Sequence, residues 1–539
     1  MSVTGGQAVV AALDAWGVDT VFGIPGIHSL PIYDALHGHP RIRHVNVRHE
    51  QGAGFMADGY ARASGRPGVV LATTGPGVVN ALTPLAQAHA ESSPLLLIAS
   101  GPPEEELEPD AGTLHEMLDQ QATVRSVVGR SIRVRESGQI SAALDEALRA
   151  VHTGRPRPFA LEIPLDVLAA ETAAQPIAVR REEPAVPAPS ALERAAALLR
   201  GARRPLLIVG RGAQDATAQV LALAEHLAAP VARTTNGMGA IPDDHPLALP
   251  DTGPGKLPPL RRNIGINMGP WIAAADVCLA VGSRLGERSA KGWDAEPRPL
   301  IHLDIDPSVI GRNVEAEVEL VGDAAAGLEA LLAMLDPRPA DGDWPPAIPP
   351  RQRGAGADPA ATDQPFAEIL GVTRRCLERD AIVVADMTMV GYRARRLFPV
   401  YGPRTFFSPH YWGTLGFAAP GAIGAKLARP DRQVVALSGD GGFLFTAQEL
   451  ATAVAGKVAV PIVICNDDCY AAIRQAQDRN FGSRHIAVGL TNPDFVRLAR
   501  AFGARASRVA TGRSYAAALR RALTVEGPTV IEVDLGNWR

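Results

Sequence analysis

Short apolar runs, many of them β-branched, recur along the chain and alternate with stretches whose apolar residues have helical spacing. The apolar runs are GVVLATT, PLLLIAS, PLLIVG, VCLAVGS, IVVAD, QVVALS and VPIVICN, and the helical stretches include NALTPLAQAHA and AQVLALAEHLA. Strands that are apolar throughout are typical of parallel sheets covered by helices on both faces. The pattern predicts an α/β fold of open parallel sheets, in which ligands bind at the carboxyl ends of strands.

Two segments interrupt this pattern, at 171 to 190 and at 336 to 365. Both are rich in proline, alanine and charge, and they contain too few apolar residues to offset the entropy of ordering them. We therefore interpret them as linkers between three domains, at 1 to 170, 191 to 335 and 366 to 539. A chain of 539 residues is also too long for one core.

The overall composition bears on the kind of partner. The chain is 46% hydrophobic and 20% charged, with a formal net charge of −4, which gives no electrostatic reason to bind nucleic acid or an anionic membrane. No apolar run approaches the roughly 20 residues that span a bilayer, and the start, MSVTGGQAVVAALDAWGV, lacks the features of a signal peptide. We expect a cytoplasmic protein that acts on a small molecule.

Polar turns follow two of the predicted strands. QVVALS leads into Gly439-Asp440-Gly441-Gly442, and VPIVIC ends on Asn466-Asp467. This glycine-rich turn precedes the predicted helix FTAQELATAV, and a glycine-rich turn before a helix presents free N–H groups to an anion. Asp440 in that turn would repel a bare phosphate, so a bridging Mg²⁺ is expected, with further oxygens from Asp467 and the main-chain carbonyl of Cys469.

This stretch resembles the signature of thiamine diphosphate (ThDP) enzymes, the family of acetolactate synthases and 2-oxo acid decarboxylases. The resemblance implies that Gly439, Gly441, Gly442 and Tyr470 contact ThDP, and that Asp440, Asp467 and the carbonyl of Cys469 hold Mg²⁺. The family carries Asn where this chain has Asp467. An additional carboxylate predicts an altered metal preference, because it attracts Mg²⁺ more strongly but repels each like charge about 4 Å away by roughly 4 kcal/mol.

A second motif, RHEQGAGFMADGYARASG, contains Glu50 and resembles the family's pyrimidine-binding motif. The resemblance implies that Glu50 hydrogen-bonds N1′ of the aminopyrimidine, since a carboxylic acid that stays protonated in an apolar setting can donate there. Asp58 and Arg62 are four residues apart in the same predicted helix, so we expect a local ion pair.

A third motif, HYWGTLGFAAPGAIGAKLA, completes the resemblance. It implies that the carbonyl of Gly413 accepts from the 4′-amino group and that Leu415 wedges the cofactor into a bent shape. Thr74, in TTGPGVVNALTP, is assigned to the cofactor site as well.

The middle domain contains PLLIVGRGA, VGSRLGER and IHLDIDP. Middle domains of acetolactate synthases bind FAD without using it for redox chemistry, and those of some relatives bind ADP or nothing. The GRG turn is too short for a dinucleotide fingerprint, so FAD is not the expected occupant.

The resemblance implies decarboxylation of a 2-oxo acid through a ylide and an enamine. Protonating the enamine releases an aldehyde, whereas its attack on a second carbonyl forms a carbon–carbon bond. We expect protonation, because His28, His115 and Gln120 lie in predicted loops of the first domain and imidazole is a suitable proton donor. Gln87 and His89 are further candidates for this region.

The motifs are most similar to those of 5-guanidino-2-oxopentanoate decarboxylases. The acidic loop EEELEPD at 104 to 110, with Asp468 and Tyr470, would suit a guanidinium group. One alternative is an acetolactate synthase-like carboligase, although the loop ADMTMVGYRA lacks the usual Gln-Met. A second is a catalytically degenerate scaffold, suggested by Asp467 but disfavoured by Glu50 and Leu415.

The family places each cofactor between two subunits, since the Glu50 and Asp440 motifs lie in different domains. We therefore expect a homodimer or a homotetramer.

Overall fold

A computed structural model describes residues 2–107, 112–174, 177, 179, 182–250, 268–286, 293, 295–337, 344 and 364–539. Most of the predicted linker at 336 to 365 lies outside these residues, as do 108 to 110 of the acidic loop. The other predicted linker, 171 to 190, contains the short strand Glu171–Ala173 and the start of a helix at Pro189. The domain boundaries stay a prediction.

The N-terminal part forms a six-stranded parallel sheet. Its strands run in the order β3-β2-β4-β5-β7-β6, and β1 pairs separately with β8 in an antiparallel ladder. The strands are β1 Ser2–Thr4, β2 Thr20–Gly23, β3 Arg43–Asn46, β4 Gly68–Ala72, β5 Leu95–Gly101, β6 Ser131–Arg133, β7 Phe159–Pro164 and β8 Glu171–Ala173. The helices are α1 Gly5–Ala15, α2 Leu30–Leu36, α3 Glu50–Ser64, α4 Pro76–Glu91, α5 Gln120–Val128, α6 Ile140–His152 and α7 Leu165–Ala169.

The middle part forms a five-stranded parallel sheet in the order β10-β9-β11-β12-β13. Its strands are β9 Pro205–Val209, β10 Val231–Arg233, β11 Val277–Val281, β12 Leu300–Asp304 and β13 Val318–Val321. Its helices are α8 Pro189–Gly201, α9 Thr217–His226, α10 Gly269–Ala274 and α11 Ala324–Leu332.

The C-terminal part forms another six-stranded parallel sheet, in the order β15-β14-β16-β17-β19-β18. Its strands are β14 Ile382–Ala385, β15 Phe406–Phe407, β16 Val434–Gly439, β17 Pro461–Asn466, β18 Arg505–Val509 and β19 Thr529–Asp534. Its helices are α12 Phe366–Cys376, α13 Met389–Leu397, α14 Ala418–Ala428, α15 Asp440–Phe443, α16 Glu449–Ala455, α17 Ala471–Phe481, α18 Phe495–Ala501 and α19 Gly512–Ala522.

The three parallel sheets confirm the predicted fold class. Their central strands are buried on both faces, as in the run from Val434 to Leu437, because helices pack on each side. Among the described residues, no helix has the length and apolar character needed to cross a membrane.

One predicted helix is shorter than its pattern suggested. The stretch FTAQELATAV is helical only from Glu449, because the residues before it form turns. The Thr446 hydroxyl donates to the carbonyl of Gly416 at 2.8 Å, and this contact holds the turn against a neighbouring loop instead of extending the helix.

The N-terminal and C-terminal parts meet where α3 crosses α14. A Cβ atom on Gly59 would lie 1.9 Å from the Gly421 carbonyl oxygen, and one on Gly424 would lie 1.9 Å from that of Met56. Only glycine permits the two backbones to approach this closely. The crossing fixes the helix that begins with Glu50 against the helix that follows Leu415.

Candidate functional site

The C-terminal sheet carries a cavity of about 270 Å³ at the carboxyl ends of its strands. All of the cofactor and metal residues predicted for this domain line it: Gly413, Leu415, Gly439, Asp440, Gly441, Gly442, Asp467, Cys469 and Tyr470. The structure thus brings together three separate segments of the sequence.

Glycines shape the wall of this cavity. A Cβ atom on Gly441 would lie 2.5 Å from Cε1 of Tyr470, and one on Gly439 would lie 2.5 Å from Oγ1 of Thr388. Gly413 has a φ of +79°, a conformation that L side chains rarely adopt. The missing side chains leave main-chain groups open to the cavity, as a diphosphate requires.

Two carboxylates, those of Asp440 and Asp467, line the same cavity and interact electrostatically. Burial raises the pKa of Asp440, which is 3% exposed. Asp467 is accessible to water from the cavity, yet burial by the surrounding protein and then the charge of Asp440 raise its pKa to about 6. A divalent cation would relieve this repulsion.

This donor set fits Mg²⁺, which needs only one or two carboxylates besides water and phosphate oxygens. Within the described residues, no group of three or more His, Cys, Asp and Glu side chains is arranged to hold a metal ion. The predicted set differs from such a group, because it comprises two carboxylates and the main-chain carbonyl of Cys469.

Asn492 belongs to the site but was missed by the sequence reasoning. Its Nδ2 lies 2.7 Å from Oδ2 of Asp440, 2.8 Å from Oδ1 of Asp468 and 3.1 Å from Oδ1 of Asn466. It comes from the loop after α17, and nothing in its local pattern distinguishes it from an ordinary turn residue.

Asp386 is another missed residue, at the end of β14. It is 1% exposed and accepts hydrogen bonds from the main-chain N–H groups of Met387 and Gly416, both at 3.0 Å. Burial raises its pKa to about 6. The run IVVAD carried the necessary signal, since an acid directly follows a buried strand.

Glu50 is the first residue of α3 and is 7% exposed. The ring of His49 caps this helix by accepting from the N–H of Gln51 at 3.1 Å. Oε2 of Glu50 accepts from Nδ2 of Asn80 at 3.0 Å. Asn80, on α4, was not predicted, because only the packing of α4 on α3 brings it near.

The predicted His28, His115, Gln120 and Thr74 form a cluster in the N-terminal part. The rings of His28 and His115 are 5.6 Å apart. Oε1 of Gln120 accepts from the hydroxyl of Thr74 and from the N–H of Gly75, both at 2.9 Å. Burial lowers the pKa of His28, which is 5% exposed, and the neighbouring His115 lowers it further.

Gln87 and His89 have other contacts. Nε2 of Gln87 donates to Asp58 at 2.9 Å, and its Oε1 accepts from the hydroxyl of Thr414. The ring of His89 contacts the carbonyl of Val128 at 3.1 Å. The predicted ion pair is confirmed, because Nε of Arg62 lies 2.9 Å from Asp58 and both side chains are buried.

Glu50 is not among the residues that line the C-terminal cavity. Large apolar side chains are exposed near Glu50 and the histidine cluster in the N-terminal part and near the cavity in the C-terminal part. Such exposure is unusual for surfaces that face water alone. Those of the N-terminal part are Ile27, Leu30, Val79, Leu114 and Leu118, and those of the C-terminal part are Trp412, Leu444, Phe445, Ile473, Phe481 and Ile486.

A second cavity, of about 290 Å³, lies at the carboxyl ends of the middle sheet. Three of the arginines that line it have protein partners: Arg155 contacts Asp306 at 3.3 Å, Arg404 contacts Asp215, and Arg211 donates to the carbonyl of Ser92 at 3.1 Å.

Comparison with known protein families accounts for most of the chain. The description "Thiamine pyrophosphate enzyme, N-terminal TPP binding domain" matches residues 3–123. The central domain of the same family matches 192–331, and its C-terminal TPP binding domain matches 386–533.

Individual relatives agree with these matches over almost the whole of this chain. A probable 2-ketoarginine decarboxylase of Pseudomonas aeruginosa is 40% identical over 99% of this chain and 94% of its own. An acetolactate synthase large subunit of Mycobacterium tuberculosis is 34% identical over 99% and 88%, and an acetolactate synthase isozyme 1 large subunit of Escherichia coli is 30% identical over 99% and 94%. The chain therefore belongs to the thiamine pyrophosphate enzyme family.

Proposed function

We propose that this chain is a ThDP- and Mg²⁺-dependent decarboxylase that converts 5-guanidino-2-oxopentanoate to CO₂ and 4-guanidinobutanal. The observation that carries the proposal is the single cavity in which the Gly413–Leu415 loop, the Gly439–Gly442 turn and the pair Asp440 and Asp467 converge. The choice of substrate is supported by the relative named as a 2-ketoarginine decarboxylase, since 2-ketoarginine is the same compound.

Residues of this chain would hold both cofactors. Asp440, Asp467 and the carbonyl of Cys469 would hold Mg²⁺ beside the diphosphate, and Leu415 would lie against the rings. When bound, the thiazolium of ThDP accepts the electron pair left behind as the carboxyl group departs as CO₂. The protein holds the reacting groups in place and controls the protons.

Glu50 would hold a proton toward N1′ of the aminopyrimidine. Asn80 already donates to Oε2 of Glu50, which leaves Oε1 as the oxygen that can present the proton. His28 has a lowered pKa, so it is neutral at pH 7 and readily passes on a proton that it takes up. Gln120 fixes the neighbouring turn through Thr74 and Gly75. These groups suit release of an aldehyde.

We also propose that two copies of the chain assemble around each site. Glu50 is absent from the lining of the C-terminal cavity, and apolar side chains are exposed near that cavity and near the N-terminal histidine cluster. A second copy would cover those surfaces and bring its Glu50 to the cavity of the first. A monomer that turns over substrate in active-enzyme sedimentation would refute this assembly.

The alternative is a carboligase that joins the decarboxylated substrate to a second carbonyl compound. It is favoured by the acetolactate synthases among the relatives, which are 30% and 34% identical. Product analysis separates the two functions, because a ligase yields an acetohydroxy acid or an acyloin instead of an aldehyde.

FAD is not part of the proposal. The turn Gly210-Arg211-Gly212 is too short for a dinucleotide fingerprint, and Arg155, Arg211 and Arg404 in the middle cavity already have protein partners. The purified protein should be colourless, and a flavin absorption spectrum would contradict this point. A cytoplasmic location is retained as a prediction from the sequence.

Calorimetric titration with ThDP in Mg²⁺ tests the proposed cofactor, and CO₂ release from a panel of 2-oxo acids tests the substrate. We expect binding only when Mg²⁺ is present, and the fastest release from the guanidino acid. No ThDP binding would refute the enzyme function. Binding with faster release from pyruvate would refute only the choice of substrate.

A further inference from the structure

The carboxylate of Asp386 lies between three loops that line the C-terminal cavity. It follows β14, the strand next to β16, whose last residue is Gly439. Its neighbours Met387 and Thr388 line the cavity, but Asp386 itself is 1% exposed and is not part of the lining.

This carboxylate accepts hydrogen bonds from several parts of the chain. Oδ1 accepts from the N–H of Met387 at 3.0 Å, and Oδ2 accepts from the N–H of Gly416 at 3.0 Å. The hydroxyl of Ser438 lies 3.4 Å from Oδ2 and 3.2 Å from the carbonyl oxygen of Gly439, and it can donate to either. The main-chain N–H groups of Phe417 and Ala418 also favour the charged form of Asp386.

These donors belong to segments that hold different ends of the cofactor in the proposed function. Gly416 ends the loop of Gly413 and Leu415, on the aminopyrimidine side, whereas Ser438 immediately precedes the diphosphate turn. The turn is close as well, since a Cβ atom on Gly442 would lie 3.1 Å from Oδ2 of Asp386. One buried side chain therefore joins the two loops.

We propose that Asp386 is a positioning residue that sets the distance between the Gly413–Gly416 loop and the Ser438–Gly442 turn, and thereby the affinity for ThDP. This inference rests on the proposed function. A carboxylate can accept from all of these donors. An amide of the same shape offers one acceptor oxygen and turns an NH₂ group toward the remaining donors, which leaves them unpaired in a buried place.

The test is calorimetric measurement of ThDP affinity in Mg²⁺ for wild type and Asp386→Asn, together with the KM for ThDP and the melting temperature without cofactor. Thr373→Val is the matched control. Thr373, in α12, is fully buried in the same domain. Its hydroxyl bonds to the Ile369 carbonyl and to Tyr515, both at 2.7 Å, and none of these three residues lines the cavity.

We expect Asp386→Asn to raise the Kd for ThDP about tenfold or more, with a parallel rise in the KM for ThDP. Thr373→Val should lower the melting temperature but leave the Kd within about twofold of wild type. A Kd for Asp386→Asn within that same twofold range would overturn the inference, and so would an equal loss of affinity in the control.

Ser438→Ala tests the positioning role of Asp386 if Asp386→Asn fails to fold. It keeps the charge of Asp386 and removes the hydroxyl that lies between Asp386 and the carbonyl of Gly439. We expect the Kd for ThDP to rise by about threefold, whereas unchanged affinity would overturn the inference. Wild-type protein that does not bind ThDP would refute the proposed function itself. Tight wild-type binding with no effect of either variant would refute only the role of Asp386.

Discussion

The crossing of α3 and α14 predicts a large effect of a single methyl group. In Gly424→Ala, the new Cβ atom would lie 1.9 Å from the Met56 carbonyl oxygen, whereas Cβ atoms essentially never come within 3.0 Å of another heavy atom. The helices must therefore separate by about 1.1 Å or more, which also loosens the edge-to-face contact of Phe55 and Phe417 at 5.7 Å. We expect a loss of about 3 kcal/mol in stability, at the upper end for overpacking.

The direction of the expected change in stability distinguishes this prediction from the usual effect of a Gly→Ala substitution. Alanine is a better helix former than glycine by about 1 kcal/mol, so a mid-helix Gly→Ala change without steric conflict stabilises a protein. Gly201→Ala, at the last residue of α8, is the control for a methyl group added without steric conflict, because its Cβ atom would meet no atom within 4 Å. Urea denaturation of both variants provides the measurement. An unchanged or higher midpoint for Gly424→Ala would refute the close crossing and with it the fixed position of α3 against α14.

Three further predictions concern chemistry and pH. Glu50→Gln should lower kcat about a hundredfold or more in CO₂ release, because a glutamine amide can donate a hydrogen bond to the aminopyrimidine but cannot transfer a proton to it; an unchanged rate would contradict that role. Glu106→Gln should lower kcat/KM about tenfold for 5-guanidino-2-oxopentanoate but not for its neutral 5-ureido analogue, because the Glu106 carboxylate acts electrostatically on the proposed site at His28. Exposed Glu105→Gln is the control, and an equal loss for both substrates would contradict recognition of charge. Burial raises the pKa of Asp386 from 3.8 to about 6, so the folded chain keeps a proton that the unfolded chain releases between those values. The stability that this proton contributes is complete below the pKa of the unfolded chain and is lost as the pH rises through the pKa of the folded chain. In urea denaturation, the free energy of unfolding of wild type relative to Asp386→Asn should therefore fall by about 3 kcal/mol between about pH 4 and about pH 7. A difference that does not change with pH would contradict the buried charge.

The sequence predicted the parts of the site that follow strands. Gly439 to Gly442 and Asp467 come directly after apolar runs, and parallel strands bring their carboxyl ends to one edge. Asp386 obeys the same rule at the end of IVVAD and was overlooked because no family motif pointed to it. The rule that site residues follow the carboxyl ends of parallel strands therefore finds a residue that the family motif does not.

Other parts of the site depend on tertiary packing alone. Asn492 and Asn80 come from a loop and a helix whose local patterns are ordinary, and only the folded chain places them on Asp440 and Glu50. The helix predicted over FTAQELATAV starts late for a similar reason, since the hydroxyl of Thr446 binds the distant Gly416. Contacts between residues far apart in sequence leave no local periodicity to detect.

The central claim is that this chain uses ThDP to decarboxylate a guanidino 2-oxo acid and protonates the product. The most direct test is the stoichiometry of CO₂ and 4-guanidinobutanal formed from 5-guanidino-2-oxopentanoate, with ThDP and Mg²⁺ present or omitted. We predict equal amounts of the two products, formed only when both cofactors are present. CO₂ with an acetohydroxy acid or acyloin in place of the aldehyde, or no ThDP-dependent CO₂ at all, would contradict the account.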